Sequence, residues 1–196
     1  MRYDELKRMM ESGDLEQIRP HLAFEMIAED SPKQELYKNC PHIVIQDMNA
    51  MPMVWAEIDD KPGRVAKVPF TMKQCSHFSI SPEELIHTVQ DEIAKKMMPL
   101  RDLQGFIVEK FGEPLPKEQT EESVFLATTE GINFGASVMC TYNFFKNAAK
   151  QLGGNYYLLP SSIHEVLLAK ESDAISPMEF QQLVGEVNRA VVDETE

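Results

Sequence analysis

The sequence predicts an α+β fold, a mostly antiparallel sheet with helices packed on one face. Three observations carry this. Short runs rich in branched and aromatic residues cluster in the first seventy or so positions and again after position 122. Longer apolar-periodic segments with helix-start signals follow them. And a single strand, Ser123 to Thr128, leads through a helix to a further strand, so one parallel crossover at most is available.

Tyr3, Leu6, Met9 and Met10 recur at three- and four-residue steps and predict an amphipathic helix, stopped by Ser12-Gly13 and packing as a lid. Leu22 to Ala28, His42 to Asp47, Met51 to Ile58 and Val65 to Thr71 then read as strands. Asp60-Lys61-Pro62-Gly63 separates the last two. Proline fixes one dihedral and glycine permits a positive one, so these strands form an antiparallel hairpin. Ser81-Pro82-Glu83-Glu84 opens a helix: a hydroxyl caps, proline takes the first helical position, and Glu84 reaches back. Leu85, Ile86, Val89, Ile93 and Met97 line one side of it, and Pro99 ends it. A second amphipathic piece spans Leu100 to Phe111.

Gly112-Glu113-Pro114-Leu115-Pro116 and the acidic residues to Glu122 form the best internal boundary. Beyond it come the strand Ser123 to Thr128 and a helix from Ala136 to Leu152, with Tyr142, Phe145, Ala149 and Leu152 as its buried stripe and Gly153-Gly154 as its stop. Two strands follow, Tyr156 to Leu159 and Ile163 to Ala169. Ser176-Pro177-Met178-Glu179 opens a last helix, with Phe180, Leu183, Val184, Val187 and Val191 facing the core. The chain thus reads as one domain, 1–196, in which two similar halves, 18–111 and 122–193, are joined by the acidic Pro-rich linker 112–121. Paired strands followed by a Ser-Pro-x-Glu helix end each half.

The formal net charge of -13 disfavours nucleic acid as a partner, because affinity for phosphates rests on Lys and Arg. Anionic membranes are disfavoured for the same reason. A partner with a basic surface is the one this charge would steer inward. The acids concentrate at Glu57, Asp59 and Asp60, at Glu113, Glu118, Glu121 and Glu122, and at Asp193, Glu194 and Glu196, which read as solvated faces and tails. No run approaches the roughly 20 apolar residues of a membrane span, and the mixed-charge start Met1-Arg2-Tyr3-Asp4-Glu5 is no secretory leader. A cytoplasmic location follows. Cys40, Cys75 and Cys140 cannot all pair, so they are expected as reduced thiols.

Chemistry is sparse. Pro160-Ser161-Ser162-Ile163-His164-Glu165 sets polar groups between two apolar segments, where each must find a partner. If Ile163 to Leu168 is a strand, His164 and Glu165 point to opposite faces, while Ser162 and His164 share one, roughly 7 Å apart at the backbone. There is no Gly-x-Ser-x-Gly elbow and no second histidine one turn on. The favoured reading is a structural turn, its serines bonding nearby backbone and His164 tied to a carbonyl or carboxylate. The alternative is a hydrolase or small-ligand-binding enzyme with Ser161 or Ser162 as nucleophile, His164 as base and a carboxylate, Glu165 being the neighbouring candidate.

Cys40-Pro41-His42 and Cys75-Ser76-His77 offer four zinc-type ligands, but with one intervening residue where zinc knuckles use two to four. They read as two half-buried thiols and two surface histidines. Thr128 to Ser137 joins strand to helix as a phosphate loop does, yet it lacks a Gly-Lys-Ser/Thr ending and any basic residue. It reads as a plain turn in which Gly135 relaxes the backbone. No cofactor is expected. Met48, Met51 and Met53 near Trp55 read as core filling.

At Leu159-Pro160-Ser161-Ser162-Ile163-His164-Glu165-Val166-Leu167-Leu168 the chain resembles an uncharacterised family of proteins from anaerobic Firmicutes, known as a domain of unknown function, whose members carry Leu-Pro-Ser-Ser-Ile/Val-His-Glu-Val-Leu. Gly135-Ala136, the tract from Ala149 to Tyr157, Val184 to Asn188 and the Pro41-His42 pair are similar too. The likeness covers residues 18 to 192. It implies a focus on Ser161, Ser162, His164 and Glu165, no metal pattern at Cys40, Cys75 or His77, and no particular activity. Family members run longer at both ends, with an additional strand-rich N-terminal segment, so by this resemblance the chain looks like a short form. The reading that results is a non-enzymatic cytoplasmic protein-interaction module.

Overall fold

The computed structural model of the chain describes residues 3–57, 65–112, 124–131, 133–171 and 178. The chain divides into two compact units, Met1–Lys96 with Cys140–Tyr142, and Met97–Met139 with Asn143–Glu196. The class is α+β. Each unit holds its own four-stranded sheet, and every strand pairing among the described residues is antiparallel. Of the 112–121 segment expected to join two halves, only Gly112 is described.

In the first unit, α1 (Tyr3–Ser12) and the one-turn α2 (Leu15–Ile18) lead through a tight turn at Arg19–His21 into β1 (Leu22–Ala28). Asp14 caps α2 by accepting from the Glu16 amide at 3.1 Å. After the short α3 (Gln34–Tyr37), β2 (Ile43–Ile45) turns tightly into the long β3 (Met48–Glu57). β3 is the centre of the sheet. One edge pairs with all of β1, from Leu22 opposite Val54 to Ala28 opposite Met48. The other pairs with β2 at its start and with β4 (Val65–Pro69) at its end, where Glu57 lies opposite Val65. The hairpin read from the sequence is therefore present as paired strands, while its Asp60-Lys61-Pro62-Gly63 turn lies outside the described residues.

The middle of β3 is buried on both faces, and so is β1 from Leu22 to Glu25. Helix α5 (Pro82–Lys96) packs across β1 and β3, burying Leu85, Val89 and Ile93. Tyr37 and Cys40 form a separate buried cluster with Ile27 and Met51. The Ser81 cap of α5 is built as the sequence indicates: the Glu84 amide donates to Ser81 Oγ at 3.2 Å and the Ser81 amide to Glu84 Oε2 at 3.0 Å. A second capping box, Thr71 with Gln74, opens α4 (Met72–His77) where the sequence reading carried a strand as far as Thr71. Met51 and Met53 are buried.

In the second unit the sheet order is β5 (Arg101–Asp102), β6 (Val124–Ala127), β8 (Val166–Lys170), β7 (Tyr156–Pro160). Three expectations are corrected here. Helix α6 runs Leu103–Phe111 rather than from Leu100, because residues 101–102 join the sheet and Asp102 caps the helix, accepting from the Gly105 amide at 2.8 Å. The helix expected over Ala136 to Leu152 is a 3₁₀ stretch, Gly135–Cys140, followed by α7, Phe144–Leu152. Asn143 separates them in the left-handed region at φ 59°. This break rephases the helix: Phe144, Ala148 and Leu152 are buried, whereas Tyr142 and Phe145 are 56% and 40% exposed. The last strand begins at Val166, not Ile163, and β6 meets it antiparallel, so no parallel crossover occurs among the described residues. The helix read from Ser176 onward lies outside the described residues save Met178. No helix among those described is long and apolar enough to cross a membrane.

One ionisable group reports on the first unit's packing. Burial, and next the Lys96 ammonium, hold the His21 imidazole below its usual pKa, against weaker opposing effects of the Trp55 backbone and Glu5. Lys96 is itself anchored through Nζ to the Pro20 carbonyl at 2.5 Å. The unfolded chain therefore takes up this proton first, and the stability His21 contributes is full above about pH 7 and declines as pH falls through roughly 6.5 and below. Replacing His21 with asparagine should flatten the acid limb of the urea-midpoint profile between about pH 7 and pH 5; an unchanged slope would contradict this.

Candidate functional site

β7 and β8 form a hairpin closed by Pro160 opposite Val166, and the five residues Ser161 to Glu165 make the connection. His164 is therefore on a loop, and the strand alternation expected to separate it from Glu165 does not apply. Polar groups of this loop bond to one another. Ser161 Oγ lies 3.2 Å from Glu165 Oε1 and 3.4 Å from the Glu165 carbonyl, across the base of the loop. Ser162 Oγ accepts from the His164 amide at 2.9 Å, a side-chain turn that bends the backbone. Among the described residues neither hydroxyl meets the imidazole.

The loop is also bound from outside, by the stretch that joins β6 to the 3₁₀ turn. Thr128 Oγ1 donates to the His164 carbonyl at 2.9 Å, and the Ala136 amide donates to the Ile163 carbonyl at 3.3 Å. His164 Nδ1 accepts from the Phe134 amide at 3.2 Å, so a neutral ring carries its proton on Nε2. Phe134, at φ 54°, also lays its ring 5.9 Å from the imidazole. On the Nδ1 side the ring's partner is thus a backbone donor.

Gly135 sits at the tightest point. A Cβ there would lie 2.2 Å from the His164 carbonyl oxygen and 2.0 Å from Thr128 Oγ1. Its φ is not in the left-handed region, so the glycine serves close approach rather than backbone relaxation, and Thr128 with Phe134 to Ala136 is a clamp on the hairpin loop. Chemically, a nucleophile must be free to surrender its proton to a base. Here Ser162 receives a bond from backbone, Ser161 is directed at Glu165, and the imidazole Nδ1 lone pair is already occupied.

The two Cys-x-His pairs are placed differently from the reading of half-buried thiols. Cys40 and Cys75 are both buried, and burial pushes both thiols up, Cys40 further still because Cys75 is near. His42 and His77 are exposed at the surface, their rings 3.3 Å from the Cys40 and Glu11 carbonyls. Among the described residues no group of three or more His, Cys, Asp and Glu side chains could hold a metal ion.

A cluster passed over in the sequence lies on β1. Glu25 is 2% exposed, hydrogen-bonded by the Tyr37 hydroxyl and ion-paired to Lys67 Nζ at 2.6 Å. Burial and the Glu25 carboxylate push the Tyr37 phenol up. The signal was a lone acid inside Leu22-Ala23-Phe24-Glu25-Met26-Ile27-Ala28, since a buried carboxylate requires paired partners.

Comparison with known proteins bears on identity only at the level of family. A model described as a family of unknown function (DUF5688) matches residues 2–196. The chain belongs to this family. The match extends beyond the 18–192 likeness read from the sequence. No curated protein and no solved structure matches.

Gly135→Ala should lower the stability of the chain by about 3 kcal/mol, because the backbone carbonyl of His164 cannot yield as a side chain would. Urea unfolding measures this; a loss under roughly 0.5 kcal/mol would show the clamp to be loose.

Proposed function

We propose that the chain is a non-enzymatic protein-interaction module that engages a partner with a basic surface. The observation that carries this reading is the hydrogen bonding of the Ser161 to Glu165 loop. Both serine hydroxyls bond within the loop, to Glu165 and from the His164 amide, while His164 Nδ1 and the Ile163 and His164 carbonyls hold the loop to Phe134, Ala136 and Thr128. The cluster supports a rigid corner rather than an acid–base relay.

A surface suited to such contact lies on the first unit. Leu36, Val44 and Met72 are 74%, 68% and 47% exposed. Glu29, Asp30 and Asp47 are exposed, as is Glu35, which pairs with Lys38. The Glu29 amide bonds the Asp47 carbonyl and the Met72 amide the Asn39 carbonyl, at 2.9 and 2.8 Å, so these segments are held together. Exposed apolar side chains with exposed acids on linked segments suit a partner of opposite charge. The cytoplasm as location, a Firmicute as source and the Leu159 to Leu167 string as family signature belong to this same proposal, supported by the reading of cysteines and motif.

A fluorophosphonate probe combined with thermal melting tests the reading. His164→Ala should lower the melting temperature by roughly 5 °C, as expected for a lost backbone partner, while Ser161 and Ser162 stay unlabelled in the wild-type chain. Labelling of either serine that disappears in His164→Ala would overturn it in favour of a hydrolase using Ser161 or Ser162 with His164.

A further inference from the structure

The second unit contains a predominantly apolar pocket of about 270 Å³ whose lining includes none of the residues Ser161 to Glu165. Its origin is a fault in strand pairing. Met97 bridges to Thr129, yet Arg101 lies opposite Leu126, so the first strand carries one residue more than its partner between those points. The Met98 amide still donates to the Thr128 carbonyl at 3.0 Å, and Pro99 has no amide to offer. The extra residue bulges out and opens a space beside the sheet. Across from the bulge stands α7. Small side chains, Ala127 and Ala148, leave the hollow between them unfilled.

The walls and the rim differ in chemistry. Met97 and Met98 contribute flexible thioethers that adapt to an apolar guest. Asn147 and Gln151, one helical turn apart on α7 and both exposed, place two amides at the edge, each able to donate and accept. Lys146 and Lys150 flank Asn147 on the same helix, both exposed, and among the described residues neither has an ion pair. Like charges at this spacing repel. In a chain of net charge -13, two cations on the helix that lines an apolar hollow, without an ion pair among the described residues, favour an anionic head above an apolar tail.

We propose that this pocket binds a medium-chain aliphatic carboxylate, its tail between Met98 and Ala148 and its carboxylate at Asn147 and Lys150. The site is independent of the protein-interaction reading and stands or falls without it.

The test uses the full chain labelled with [methyl-¹³C]methionine, with the Met98 signal assigned by its loss in Met98→Leu. Octanoate should shift the Met98 methyl saturably with a Kd of roughly 0.1 to 1 mM, and octylammonium should not. Lys150→Glu should weaken octanoate about tenfold. Gln151→Trp, a change at an exposed position that leaves the core intact, should abolish the shift by closing the mouth. The proposal is overturned by no saturable octanoate shift, by an equal response to octylammonium, or by a shift that survives Gln151→Trp.

Discussion

Much of the second unit depends on one contact in which nothing intervenes: the Gly135 Cα against the His164 carbonyl and the Thr128 hydroxyl. Removing a side chain at that point lets two stretches of backbone approach closely enough to exchange bonds, and three are made, at Thr128 Oγ1, Phe134 N–H and Ala136 N–H. Each is individually worth about 1 kcal/mol, but the greater cost lies in leaving any of these polar groups buried without a partner. The contact therefore determines the shape of the β7–β8 connection. It also explains how a string of Ser, Ser, His and Glu can lie between apolar strands, with Ser161, Ser162 and His164 each in a hydrogen bond.

The first unit solves a similar problem with charge. β1 and β3 are buried on both faces over their central lengths, so a carboxylate at Glu25 must carry its own neutralising partners. Tyr37 approaches from α3 and Lys67 from β4, which ties three separate segments to one side chain. Such an arrangement adds little net stability over a well-packed apolar equivalent, yet removing one partner alone is costly. It favours this particular pairing of strands over alternatives that would strand the acid.

Legibility of the fold followed the range of the interactions involved. α5 was readable because Ser81, Glu84 and the Leu85, Val89, Ile93 stripe all act within a few turns. The β3–β4 hairpin was readable from alternation and a Pro-Gly turn. The break at Asn143 is not, since asparagine tolerates a left-handed conformation without requiring it, and a continuous helix there would put Tyr142 and Phe145 on the buried face, where the structure exposes them. Ile163 looked like part of a strand because its neighbours favour one, but its carbonyl is bonded to Ala136 instead. For the candidate site, residues Ser161 to Glu165 stood out as polar groups in an apolar setting. Their partners Thr128, Phe134 and Ala136 lie far upstream, and no local pattern announces them. The pocket beneath α7 was invisible for the same reason, because a bulge exists only in the register between two strands.

The chain's path through its two units has a further consequence. Cys140–Tyr142 belongs with residues 1–96 although it follows the start of the second unit. The Gln90 amide donates to the Cys140 carbonyl at 2.7 Å, and Cys140 Sγ rests 3.7 Å from Met26 Sδ. A polypeptide ended at Lys96 would keep the whole first sheet but leave Gln90 without its acceptor and Met26 without its neighbour. The first unit thus draws Cys140–Tyr142 from far along the chain, and severing the chain at a single bond cannot yield either unit whole.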